Sequence, residues 1–179
     1  MEFKLCHNNL EQLIKLGFNI NWTLLQIGYY GSEFILPQFT AEDIIKYAAE
    51  QLNSVNDILI ERLACSENDS YEFRNILARL VSKEKVSKEM QMRKLRVLIL
   101  YKKFANIPNN YIDGLVEITE IWVSLGLPDD CPHIVQGRGN SLSSNDYYTE
   151  EMYETLKKRN FDWLDNEISC IIFKENLNS

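Results

Sequence analysis

From Thr40 onward, apolar residues recur at intervals of three and four and each run opens on a capping side chain, a pattern that suits amphipathic helices and disfavours strands. "TAEDIIKYAAEQLN" offers Thr40 as N-cap with Asp43 three residues on, and sets Ile44, Tyr47, Ala48 and Leu52 on one face. "SVNDILIERLAC" repeats the plan, with Ser54 as cap, Asp57 at the third position and Ile58, Leu59 and Leu63 inward. "SYEFRNILARLVSK" follows with Tyr71, Phe73, Ile76, Leu77 and Leu80. Three helices of 11–14 residues are expected here, joined by short polar breaks.

The same periodicity continues to Glu175. In "SKEMQMRKLRVLILYKKFANIP" the run Leu95–Tyr101 is almost wholly apolar, and its length and charged flanks favour a central helix over a buried strand, with Lys102 and Lys103 at the C-terminal end of the dipole. "NNYIDGLVEITEIWVSLG" predicts a helix with Ile112, Leu115, Val116, Ile118, Trp122 and Leu125 near one face, stopped by Gly126 and Pro128. "TEEMYETLKKRN" begins another at Thr149, and "FDWLDNEISCIIFKE" closes the chain as an apolar helix, with a strand in "ISCIIF" as the lesser alternative. "NWTLLQIGYYGSEFILP" permits a short helix plus loop or a hairpin. The expectation is a mostly α fold: one domain over residues 1–179, made of packed helical hairpins with a solenoid-like curl within reach, although no repeated motif marks a true repeat.

A chain of 179 residues, 45% hydrophobic and 25% charged, has enough apolar material for a core without staples. No stretch approaches the roughly 18 apolar residues of a membrane span. The opening "MEFKLCHNNLEQLIKLGFNI" carries Glu2 and Glu11 and no long apolar run, so it does not read as a signal or an anchor, and a cytoplasmic location is expected. Cysteines at 6, 65, 131 and 170 are too widely spaced for a zinc ribbon or a redox pair, and Cys65 and Cys170 are expected as core residues. The three tryptophans, Trp22, Trp122 and Trp163, are likewise expected in the core, with an exposed interface anchor as the alternative for one of them.

The net charge is −7, and it is unevenly distributed: 11 acids and 6 bases in residues 1–82, 2 and 8 in 83–109, 13 and 5 in 110–179. Such a field disfavours nucleic acid and membrane surfaces as partners and speeds encounter with a basic protein.

The segment "GLPDDCPHIVQGRGNS", residues 126–141, concentrates the chemistry. Its G-x-G lacks the third glycine of a dinucleotide loop and the lysine of a P-loop, so Gly137 and Gly139 are expected to supply positive φ for a turn while Arg138 clamps a carboxylate or a carbonyl. Asp129, Asp130, Cys131 and His133 would make a metal site only if Cys6 and His7 met them in space, and nothing in the spacing forces that. Neither a metal nor a cofactor is expected, and no residue stands out as catalytic. Asp129, Asp130, Arg138, Asp146, Glu150, Glu151 and Glu154 form the candidate partner-binding set, being charged residues in this loop and in the helix start that follows.

"AEDIIKYAAEQL", "RKLRVLILYKKF" and "EIWVSLGLPDD" together resemble, over roughly residues 20–135, a family of uncharacterised bacterial proteins known by a domain of unknown function. Proteins of this sort resemble immunity proteins encoded beside polymorphic or contact-dependent toxins. The resemblance implies a protein that neutralises a cognate toxin domain by occlusion, and it brings no catalytic residues. The alternative is a small cytoplasmic enzyme with a cleft around residues 129–138, built from Asp129, Asp130, Cys131, His133 and Arg138.

Overall fold

A computed structural model describes residues 3–177. Among the described residues the chain forms nine helices and no strand: α1 (Asn9–Lys15), α2 (Trp22–Tyr30), α3 (Ala41–Gln51), α4 (Ile58–Ala64), α5 (Tyr71–Lys83), α6 (Lys88–Phe104), α7 (Tyr111–Ser124), α8 (Ser144–Tyr147) and α9 (Glu150–Leu177). The mostly α expectation holds. The chain divides into two compact units, Cys6–Leu95 and the described residues of Met1–Leu5 with Arg96–Ser179.

In the first unit α3 packs on α4, α4 on α5, and α5 on α2. Thr40 and Asp43 form the expected capping box on α3, each side chain bonded to the other's backbone N–H. The start of α2 is held from far along the chain: the Glu84 carboxylate accepts the N–H groups of Trp22 and Thr23, both at 2.8 Å, and the Thr23 hydroxyl at 2.7 Å. An anion there satisfies donors that the first turn leaves orphaned. Of the two readings of the N-terminal stretch the short helix plus loop is the one found, with the helix ended by Gly31.

Several sequence expectations are corrected. Asp57, not Ser54, caps α4, because its carboxylate reaches the Leu59 N–H at 2.8 Å, and the helix is only 7 residues long. Ile58 and Tyr71 are the first residues of their helices, ahead of the buried stripe, and stay 64% and 79% exposed. Cys65, expected in the core, follows the end of α4 and is exposed, while Cys170 is half-buried. Ile112 and Val116 are exposed, since α7 turns Gly114, Leu115, Ile118, Ile121 and Trp122 inward instead.

In the second unit α9 runs unbroken for 28 residues where two helices were expected. Asn160, the last residue of the first expected segment, is fully buried: its amide donates to the Leu156 carbonyl at 2.7 Å and its oxygen accepts the Trp122 indole N–H at 2.6 Å. Of the three tryptophans only Trp122 is fully buried, with Trp22 and Trp163 partly exposed. α7 packs on α9 through a contact that only glycine permits. A Cβ on Gly114 would lie 2.3 Å from Tyr153 Cε2 and 3.0 Å from the Pro108 carbonyl oxygen, and Tyr153 is itself tied to that oxygen by a 2.6 Å hydrogen bond. Gly114→Ala is therefore expected to destabilise by roughly 2 kcal/mol, an overpacking cost partly offset by the better helix propensity of alanine. A urea midpoint equal to or above that of the wild type would contradict this packing.

Candidate functional site

The loop from α7 to α8 begins with a two-bond stop. The Gly126 N–H donates to the Val123 carbonyl and the Leu127 N–H to the Trp122 carbonyl, with Gly126 at φ +77 and Leu127 at φ +47. A turn then closes from the Cys131 N–H to the Pro128 carbonyl at 2.9 Å. Asp130 leaves this turn toward Arg96 on α6, which grips both carboxylate oxygens at 2.9 and 2.6 Å. The same guanidinium lies 3.5 Å from Glu167 and stacks 5.1 Å from the Trp163 ring centre, and Trp163 meets Trp122 edge-on. A bidentate, aromatic-backed arginine is well suited to fixing a loop on a helix. Asp130 thus anchors the loop, whereas Asp129 is exposed and makes no ion pair among the described residues.

The tip of the loop is a built turn. Asn140 donates to the Val135 and Arg138 carbonyls at 2.8 and 3.0 Å, its oxygen accepts the Gly137 N–H at 3.3 Å, and the Arg138 N–H reaches the Val135 carbonyl at 3.1 Å. Gly137 and Gly139 have the positive φ expected of them. Arg138 does not act as the expected clamp: it is exposed, and its guanidinium makes no hydrogen bond or ion pair among the described residues. The Asn140 side chain and the backbone complete the turn without the arginine side chain.

His133, part of the alternative enzyme cleft, is only 7% exposed. Its Nε2 lies 2.9 Å from the Thr119 hydroxyl and 3.2 Å from the Tyr147 hydroxyl. Each hydroxyl spends its proton on a backbone carbonyl, Thr119 on Leu115 at 2.8 Å and Tyr147 on Ile134 at 2.9 Å. Nε2 must then carry the hydrogen, and Nδ1, which has no partner among the described residues, is left as a bare acceptor. Burial, helped by the charge of Arg159, pushes the imidazole down to about 4, so it is neutral at pH 7. Cys131 points its thiol at the His133 carbonyl oxygen, 3.9 Å away, rather than at an imidazole nitrogen, and burial pushes that thiol up. This pair is not arranged as thiolate and base. Among the described residues no three His, Cys, Asp or Glu side chains converge as metal ligands.

Two hollows flank the loop and share Cys131 and Arg159. One of about 500 Å³ is lined by Asp129, Asp130, Lys158, Asp162 and Trp163, the other of about 480 Å³ by Leu127, Pro128, Val135 and Arg138. The remaining candidate residues line neither hollow. Asp146 serves α8, where the Ser143 side chain accepts its N–H and donates to its carboxylate. Glu150, Glu151 and Glu154 are exposed in the first turns of α9. Arg96, Thr119, Tyr147 and Arg159 were not legible as site residues: Thr119 and Tyr147 meet His133 from 14 positions away and Arg96 meets Asp130 from 34, and only the cationic run "KKR" offered a hint of Arg159.

DUF2247, described as an uncharacterized protein conserved in bacteria, matches residues 10–168. The chain belongs to that family. The DUF2247 match extends beyond the expected 20–135 at both ends and takes in the whole loop with both hollows and the acidic start of α9. No curated protein and no solved structure matches the chain.

Proposed function

We propose that this protein is a cytoplasmic immunity protein that binds a cognate toxin domain through an acidic face and neutralises it by occlusion. One observation carries the reading. The contact of Gly114 with Tyr153 draws together the N-terminal turns of α7 and α9, with Asp113 and Glu117 within three residues on one helix and Glu150, Glu151 and Glu154 within three on the other. Lys103 approaches Glu117 at 3.9 Å and Lys157 lies over the Tyr153 ring, but Asp113, Glu150, Glu151 and Glu154 have no ion-pair partner among the described residues. Acids on two packed helix starts give one negatively charged surface, and such a surface steers the encounter with a basic partner. The resemblance to toxin-neutralising proteins supports the same choice.

The test is co-expression with the product of the adjacent gene, followed by binding kinetics. Rescue from toxicity and co-purification are expected. Charge reversal at Glu150, Glu151 and Glu154 should slow association by about tenfold or more at low salt with little change in dissociation, and the loss should shrink as the Debye length falls from about 10 Å at 0.1 M to about 3 Å at 1 M. A neighbour that is harmless alone, or equally lethal in the presence of this protein and never bound to it, defeats the proposal.

A further inference from the structure

Arg138 and Arg159 both line one cavity of about 480 Å³. Neither makes an ion pair among the described residues, and no aspartate or glutamate lines that cavity. In a chain of net charge −7 with 26 acids, leaving two arginines unmatched at one hollow is unexpected on charge alone. Both are firmly based: Arg138 sits on the turn that Asn140 braces, and Arg159 precedes Asn160, which is locked into the core of α9. His133 belongs to the same wall, but its Nδ1 is buried and, as a bare acceptor, donates nothing to an anion, so the recognition falls to the two arginines.

Two planar forks offer more donors than one planar carboxylate uses, and they suit a tetrahedral dianion with three terminal oxygens. The rest of the wall is apolar, with Leu127, Pro128, Ile134 and Val135. Asp129 and Asp162 line the adjoining hollow, where they would repel a polyanion that ran on past the arginines. We propose that this cavity binds a small phosphomonoester, its phosphoryl group held by Arg138 and Arg159 and its organic body against Leu127, Pro128, Ile134 and Val135. The proposal is independent of the acidic partner face.

The experiment is a titration of the full chain with phenyl phosphate, inorganic phosphate and acetate at constant ionic strength, following the arginine Nε–H and His133 imidazole resonances. Saturable shifts are expected with phenyl phosphate below about 1 mM, at least about tenfold weaker binding of inorganic phosphate, and none of acetate. Arg138→Gln and Arg159→Gln should each weaken binding about tenfold or more, while Arg138→Lys and Arg159→Lys, which keep the charge but lose the fork, should retain part of it. Both side chains are exposed, so the unliganded variants should melt as the wild type does. Any of three results overturns the proposal: no saturable shift by about 10 mM, glutamine variants that bind as the wild type, or inorganic phosphate bound as tightly as the ester.

Discussion

Replacing Trp122 with alanine is expected to destabilise the second unit by about 4 kcal/mol, and Asn160→Ala by about 2 kcal/mol, with the double variant losing clearly less than the sum. Trp122 is fully buried, so its removal takes away a large apolar group and opens a cavity that the surrounding helices fill only in part. It also strands the Asn160 oxygen, which now accepts the indole N–H at 2.6 Å with no water in reach. The asparagine variant strands the indole N–H in turn. Once one partner is gone, removing the other relieves an unpaired polar group, and for that reason the two losses should not add. Trp122→Phe separates the two effects: it keeps most of the volume and should cost about half as much as alanine. Denaturant melts of the three variants form a double-mutant cycle, and strict additivity would show that the hydrogen bond contributes nothing.

That bond also shows where sequence reading stops. Local rules found the caps of α3 and α5 and the stop at Gly126, because each depends on residues within one turn of the chain. They failed at Asp57, where Ser54 met the same rule three residues too early and only the fold chose between them. They failed again around Asn160, where two helices were expected in place of one and the partner that holds the residue in the core lies 38 positions away. The candidate site divides in the same way. Loop 126–141 was legible as the place of interest from its glycines, prolines and charged residues, but not the division of labour within it. Asp130 anchors through Arg96, 34 positions back, whereas Arg138, expected to be tied, is free. Arg159 reaches the same hollow from a helix whose pattern of Lys-Lys-Arg is equally well explained by exposure alone.

Acidification is expected to remove about 3 kcal/mol of stability through His133, between pH 6.5 and 4. In the folded chain burial, with Arg159 adding to it, holds the imidazole down to about 4, whereas an unfolded chain titrates near 6.5. A group with a depressed folded value contributes its full share above the unfolded value. As pH falls through the window the unfolded chain takes up a proton that the folded chain refuses, so unfolding is favoured. Below about 4 the folded chain protonates as well and the loss from this group ends. Protonation would also place a charge beside Arg159 and give Nδ1 a hydrogen with no acceptor among the described residues. His133→Gln should be less stable than the wild type at pH 7, since it disturbs the bonds to Thr119 and Tyr147, yet the gap should narrow by about 3 kcal/mol by pH 4. Carboxylate titration is common to both proteins and cancels in the comparison. Parallel stability curves for the two across this range would mean that His133 is not held neutral by its burial, and the buried triad of His133, Thr119 and Tyr147 would have to be redrawn.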